Sequence, residues 1–490
     1  MTDYRAELRK IVKYVNQNFI AEVPRNLYDP ELGITELVDG SGRIKEQDFE
    51  KYVPITTTLT LLNSCLGNNT LIEGPSGTGK TRLASVIGSI LFQMPYELFE
   101  RRRIVGTPGA TINEIYATHD LAELNRGNDV AFMYLPFFAP FLIVDELNRY
   151  SELEQNRLRE GIATGVWNYA NHSWKVDKQV VVSAINPLDY GGTFILNENL
   201  LDNYAIVLEP AYYNALFHED LIIGAEHNIK NSLGLESGVD DLMEFYATHK
   251  NNPKDIKEKI QALQDKTVTT FNNRGIPFIN NGHLDNIKNQ INEMEFDLEG
   301  TLFFHCVMSE MTHSNKYGRL RVEDPPTDDS HDKEYLVAKM KEGLAGRFLK
   351  DWNQVSKAIA WYFGNDKVQT EDMKAAFIYT ANKRIKPDID FAQLCFNSPR
   401  KIPPNFKVAK ELVAHAWTNY SDFKKAENEA FDKIREAVEI LTEERTGDYS
   451  TAVDILSGKE LGKIKVDHPI EKSVLESFVL EEYYKKLNKE

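Results

Sequence analysis

The sequence predicts an α/β fold, a parallel sheet covered by helices, followed by a largely helical second half. Unbroken apolar runs at Phe141–Val144, Val180–Ile185 and Ala205–Leu208 have the length of central strands buried on both faces. Segments of helical period separate them, as crossovers between parallel strands require. The runs carry their polar residues at their C-terminal ends, Asp145-Glu146 after the first and Asn186-Pro187 after the second. Open α/β sheets bind ligands at that edge.

Taken in order, residues 4 to 19 place Leu8, Ile11, Val12, Val15 and Phe19 on one helical stripe, and Pro24 to Gly42 reads as loop. An apolar segment from Ile55 to Leu66 precedes a strand at Thr70 to Glu73. Gly74-Pro75-Ser76-Gly77-Thr78-Gly79-Lys80-Thr81 follows, and then Leu83, Val86, Ile87, Ile90 and Leu91 repeat as one helix face. Strand, glycine loop and helix are the setting in which G-x-x-x-x-G-K-[ST] reads as a phosphate cradle, the Walker A pattern. Its glycines let successive N–H groups turn towards one anion, and the helix N-terminus adds partial positive charge. Lys80 is placed to reach the β- and γ-phosphates and Thr81 to offer its hydroxyl to Mg²⁺.

Ile104-Val105 and a turn at Thr107-Pro108-Gly109 come next, and Trp167 to Val180 reads as a hairpin with a polar tip. Residues 213 to 290 are charged, Asn-rich and helical in pattern. Helical periodicity returns at Leu302–Met311 and Lys350–Ile385, with Thr370 as a cap before Glu371 and Asp372. The polar stretch His313 to Glu334 reads as a mobile loop. After Pro399 and Pro403-Pro404 a charged helical tail runs to the end.

Composition limits the function classes. The 490 residues suit two to four domains, and 74 acidic against 57 basic residues give a net charge of −17. That field repels phosphate backbones and argues against nucleic-acid binding across the surface. Arg101-Arg102-Arg103 is a local exception, read as a solvated face or a nucleotide-edge contact. Cys65, Cys306 and Cys395 lie far apart and read as reduced core thiols of a cytoplasmic protein. No secretory signal follows Met1, and the most apolar stretch, Ala131 to Val144, is too short to insert into a membrane.

Asp145-Glu146 supplies what the cradle needs. Asp145 suits the magnesium shell, and Glu146 is placed to polarise a water for attack on the γ-phosphate, the Walker B pairing. Asn186 can hydrogen-bond the attacking water or the γ-phosphate.

Phe141 to Arg149, with Asp145-Glu146-Leu147-Asn148-Arg149, resembles the D-E-x-N-R signature of MoxR-type AAA+ ATPases. The similarity continues through Gln155, Leu158, Glu160 and Ile162, the hairpin at 167 to 180, Ala184 to Pro187, Pro108 and Ile112, and Gly346-Arg347 with the helices through Arg384. It implies a P-loop AAA+ core at 51–212 and a helical lid at 286–398, and the helical pattern of the rest adds an N-terminal helical segment at 1–50, a mostly helical insertion at 213–285 and a helical C-terminal extension at 399–490. It further implies ATP and Mg²⁺ as cofactors and a homo-oligomeric ring, usually a hexamer. Such a ring remodels or activates a protein client, often with a partner carrying a von Willebrand factor A domain. By motif position Asn186 corresponds to sensor 1 and Arg347 to sensor 2.

Two departures stand out. The family commonly has an arginine acting on the neighbouring subunit where this chain reads Leu201-Asp202-Asn203-Tyr204, and Asn203 carries no charge. Arg159 or Arg157, on the helix after Glu146, is the expected replacement, with Arg149 a third candidate. The alternative is that Arg157 and Arg159 pair with Glu154 or Glu160 at helical spacing. Residues 213–285 and 406–490 have no counterpart in the family. Two other functions stay open: a GTP-driven motor subunit of a nucleic-acid-directed system, which D-E-x-N-R also resembles, and a nucleotide-gated scaffold with little turnover.

Overall fold

A computed structural model describes residues 3–38, 46–109, 111, 115–188, 191–210, 227–312, 336–341, 346–396, 402–426, 428–441 and 451–452. The chain divides into two units, Met1–Glu293 with Trp361–Gly364, and Met294–Ala360 with Asn365–Glu490.

In the first unit, α1 (Tyr4–Val15) buries Leu8, Ile11, Val12 and Val15, and the Asp3 carboxylate caps its first turn. A π turn continues it through Ile20 and ends at Ala21, which takes a left-handed conformation. β1 (Arg25–Asn26) pairs antiparallel with β2 (Tyr52–Val53). In α2 (Ile55–Cys65) every residue is buried, threonines included. Thr60 Oγ1 donates to the Thr56 carbonyl, and Thr56 Oγ1 donates to that of Glu209. The exposed first-turn amides of α2 are met by Glu22, whose carboxylate accepts from Thr56 N at 2.7 Å and Thr57 N at 3.0 Å. A distant side chain thus does the work of a local cap.

The chain then runs β3 (Asn69–Glu73), α3 (Lys80–Phe92), α4 (Tyr96–Arg102), β4 (Ile104–Val105), β5 (Ala117–His119), α5 (Leu121–Asn125), β6 (Ala131–Met133) and β7 (Phe141–Asp145). It continues through α6 (Glu152–Thr164), β8 (Val166–Tyr169), β9 (His172–Lys175), β10 (Val180–Ile185), α7 (Glu198–Leu201) and β11 (Tyr204–Leu208). Five strands form one parallel sheet in the order β11-β3-β10-β7-β4. The predicted parallel α/β core is what folds. β5–β6 and β8–β9 are separate antiparallel hairpins, the second where a hairpin is expected. They pack into the same core as the sheet, where Trp167 meets Phe137 edge-on at 4.5 Å.

α3 is apolar on nearly every side because it lies buried, and Gly88 gives it a close approach to Phe141 and Phe99. The charged region after β11 is helical, as expected, over its described part: α8 (Glu236–His249), α9 (Pro253–Arg274) and α10 (Asn281–Asn292). It packs on α3 and α4. Gln264 Nε2 donates to the Phe92 carbonyl, Arg101 pairs with Glu236 and Asp240, and Leu235 N donates to Glu97.

The second unit is helical over its described part: α11 (Leu298–Thr312), α12 (Gly346–Phe363) as far as Ala360, α13 (Thr370–Ala381), α14 (Ile389–Phe396), α15 (Pro404–Ala426) and α16 (Asn428–Leu441). Its interior is aromatic, with Phe303, Phe348 and Phe377 packed around Trp352. Arg384 and Asp351 form a buried ion pair at 2.6 Å. The helix expected to be capped by Thr370 is capped one residue earlier. Gln369 is the N-cap, and Asp372 Oδ2 accepts from its amide at 2.9 Å, so Thr370 is the first helical residue. The tail expected after the prolines is likewise corrected at its start. α15 packs against α13 and α11, with Phe406 on Tyr379 and Tyr420 on Phe303, as part of this unit's interior. The loop expected at His313 to Glu334 lies outside the described residues.

Candidate functional site

The sequence folds the phosphate loop by geometry that only glycine adopts without strain at two points. Gly77 and Gly79 have φ of +83° and +78°, with no heavy atom within 4 Å of an added Cβ, so backbone angle rather than space selects glycine there. Gly74 N donates to the Ile185 carbonyl, tying the start of the loop to β10. Gly79 is the N-cap of α3 and no side chain caps the helix, which leaves the amides of a 13-residue helix for an anion.

Lys80 is 7 % exposed, and its ammonium donates to the carbonyls of Gly74 at 2.6 Å and Pro75 at 2.7 Å and to Asn186 Oδ1 at 3.2 Å. Burial lowers its pKa, and the charges of Asp145, Glu146 and Glu73 oppose the shift. Thr81, one residue on, donates its hydroxyl to Asp145 Oδ2 at 2.9 Å. A hydroxyl and a carboxylate oxygen in contact at the mouth of the loop fit a hard divalent cation.

Asp145 ends β7 and Glu146 follows it in the left-handed region, φ 53° and ψ 36°, which costs a non-glycine residue on the order of 1 kcal/mol. That turn sends the two carboxylates different ways. Asp145 faces Thr81, while both oxygens of Glu146 accept from Asn186 Nδ2 at 2.8 Å. Arg149 Nε adds a third bond to Glu146 Oε2 at 2.6 Å. Asn148 steadies Asn186 through its backbone, Nδ2 donating to the Asn186 carbonyl at 2.7 Å. The second and fourth residues of D-E-x-N-R therefore meet at one residue, Asn186, Glu146 at its side chain and Asn148 at its backbone. Lys80, Thr81, Asp145, Glu146 and Asn186 come together on three adjacent strands.

Residues 69–206 match the family model described as the ATPase family associated with various cellular activities (AAA). The chain carries an AAA+ ATPase domain. No curated protein matches it significantly. Among solved structures, a candidate ATPase of Cytophaga hutchinsonii shares 16 % identity over 85 % of this chain and 94 % of its own, with a TM-score of 0.48, too low to decide anything.

Of the two readings of the basic triplet, the nucleotide-edge contact fits Arg103, whose Nε stands 3.5 Å from Asp145 Oδ2, while Arg101 is spent on α8. The AAA+ domain also holds a residue that sequence reasoning missed. Gly106 N donates to the Asp145 carbonyl, and a Cβ at Gly106 would lie 2.0 Å from the Glu146 carbonyl oxygen. The signal was present, since Gly106 directly follows a two-residue apolar strand, yet nothing in the sequence said which strand it would flank.

The arginine candidates separate. Arg149 is engaged with Glu146 in its own domain. Among the described residues neither Arg157 nor Arg159 pairs with Glu154 or Glu160. Glu154 takes the Ser151 hydroxyl, Glu160 takes Asn168, and Arg159 Nε is buried with no hydrogen-bond partner. Asn203 serves locally, its carbonyl accepting from Asn69 Nδ2 at 3.0 Å and its Nδ2 donating to Asn199. Arg347 lies in the first turn of α12, in the second unit.

Proposed function

We propose that the chain is an Mg²⁺-dependent, ring-forming ATPase of the MoxR type that remodels or activates a protein client. The observation that carries the catalytic half is the Thr81–Asp145 contact beside a Glu146 carboxylate held by Asn186. Thr81 and Asp145 hold the Mg²⁺, which when bound neutralises charge on the phosphates. The amides of Ser76 to Lys80 cradle the phosphates, and Lys80 turns its ammonium from the loop carbonyls to them. Glu146 accepts the proton of the attacking water, and Asn186 orients that water. Arg347 serves as the lid arginine, and Arg159 reaches a neighbouring subunit's nucleotide in place of Asn203.

The partition into core, insertion, lid and extension, a hexameric ring, a von Willebrand factor A partner and a cytoplasmic location belong to the same proposal. No described helix is long and apolar enough to cross a membrane, which accords with it.

The test compares two variants. Lys80→Ala should lose nucleotide binding, whereas Glu146→Gln should bind ATP and stop turnover. Wild-type hydrolysis by Glu146→Gln would remove the base assignment. Native mass measurement with a non-hydrolysable analogue should give one closed oligomer, and a nucleotide-bound monomer at micromolar protein would remove the ring. In mixed oligomers of Arg159→Ala and Lys80→Ala subunits, restored hydrolysis supports an arginine in trans; unimpaired hydrolysis by Arg159→Ala alone excludes it.

The engagement of Glu146 by both Asn186 and Arg149 favours a second reading, a nucleotide-gated scaffold with little turnover. Turnover per assembled ring separates the two.

A further inference from the structure

Three metal-binding side chains meet where the two antiparallel hairpins of the first unit approach each other. His119 ends β5, Asp129 precedes β6 and His172 opens β9, and one ligand atom from each lies within 4.8 Å of the others. Asp129 Oδ1 stands 3.3 Å from His119 Nδ1 and 3.1 Å from His172 Nε2. A tetrahedral zinc ion with bonds of about 2.1 Å holds its ligand atoms about 3.4 Å apart. The two separations from Asp129 are already those of a coordination shell, and the two imidazole nitrogens lie within 4.8 Å of each other.

Hydrogen bonding within the cluster accounts for only part of it. His172 Nε2 bonds Asp129 Oδ1 directly. His119 Nδ1 is a buried nitrogen with no hydrogen-bond partner, although the same carboxylate oxygen is 3.3 Å away. Its approach to the carboxylate is therefore at the wrong angle for a bond between them. A buried polar atom left in that state asks for another partner, and a cation shared by all three residues supplies one.

The surroundings hold the donors in place. Asp129 Oδ2 accepts from Asn171 Nδ2 at 3.1 Å, which leaves Oδ1 to the cluster. The His172 ring stacks on Trp174 at 5.8 Å and 16°, and His119 packs on Tyr169 at 4.9 Å. Hydrogen-bonded carboxylates and oriented imidazoles are what metal-ligating groups need around them. Both histidines sit in ladder register, His119 opposite Ala131 and His172 opposite Tyr169, so regular backbone fixes their positions.

We propose that His119, Asp129 and His172 bind a zinc ion that clips the β5–β6 hairpin to the β8–β9 hairpin. Two imidazoles and one carboxylate suit zinc among the divalent ions, whereas magnesium and calcium require oxygen donors. The fourth position is left to water.

The full chain, stripped with EDTA and dialysed against buffered micromolar zinc, is the material for the test. An Asp145→Asn background keeps the phosphate-loop site from contributing. About one zinc per chain is expected, with affinity lowered at least tenfold in His119→Ala and in His172→Ala. Cobalt in place of zinc should give visible absorption that both variants lose. For the chain with both histidines intact, zinc should raise the unfolding midpoint and EDTA reverse it, a readout that needs no histidine variant to fold. Absence of bound zinc, or zinc held undiminished after His119→Ala and His172→Ala, overturns the site.

Discussion

At Glu22 burial and hydrogen bonding pull one carboxyl in opposite directions. Burial raises its pKa above the ordinary 4.5, and the amides and hydroxyls of Thr56 and Thr57 oppose the rise without cancelling it. Between 4.5 and the raised value the native state holds a proton that the unfolded chain has released. This contribution is fully present below the unfolded pKa and is lost as pH rises through the folded one. The stability of the wild type relative to Glu22→Gln should therefore climb as pH falls towards 4.5, by at most about 1.4 kcal/mol per pH unit. Denaturant titrations of both proteins across that range check it, and parallel curves would show that Glu22 does not titrate there. The side chains that meet at the phosphate loop were legible in the sequence because G-x-x-x-x-G-K-[ST] and D-E-x-N-R are local patterns. Glu22 was not, since it acts on a backbone far along the chain, and no spacing rule reports such a meeting.

Among the elements, α6 shows how a single missing Cβ sets a packing distance. Gly161 sits mid-helix, where alanine in an open position would stabilise by about 0.4–1 kcal/mol. Here a Cβ would lie 2.4 Å from Trp167 Cε3 and Cζ3, on an indole that is 2 % exposed and wedged against Phe137. Overpacking of that kind costs about 1–3 kcal/mol and outweighs the gain. Gly161→Ala should thus lower the unfolding midpoint, and a midpoint at or above wild type would mean that the hairpin yields. Elements with a strong period were foreseeable, α1 and α3 among them. The cap of α13 was missed by one residue because Gln369 is an uncommon N-cap, and the capping-box carboxylate of Asp372 works with it as it would with serine or threonine. α2 read only as an apolar segment, and its buried threonines turn to different partners: Thr60 donates to the Thr56 carbonyl, Thr56 to that of Glu209 and Thr57 to Glu22, far away in the chain.

On the scale of the molecule, the proline-rich stretch before α15 resembled a boundary by composition alone. Composition cannot say that the next helix returns to the interior, where Phe406, Leu412, Ala416 and Tyr420 are buried. A chain ending at Ser398 should accordingly lose the cooperative unfolding of the second unit, while one ending at Leu441 keeps it. Calorimetry of the two truncations decides; an unchanged transition in the shorter chain would make α15 dispensable.

The strand order carries a consequence for how the protein is made. β3, which leads into the phosphate loop, is flanked by β10 and β11 and by no earlier strand. Its first partner starts at Val180 and its second at Tyr204. At about 5–20 residues per second of synthesis, nascent β3 waits on the order of ten seconds with both edges open. Pairing at such separation is slow even in the finished chain. Until Ile185 has emerged β3 is an apolar strand with nothing to pair it, and its second edge stays open until Leu208 follows.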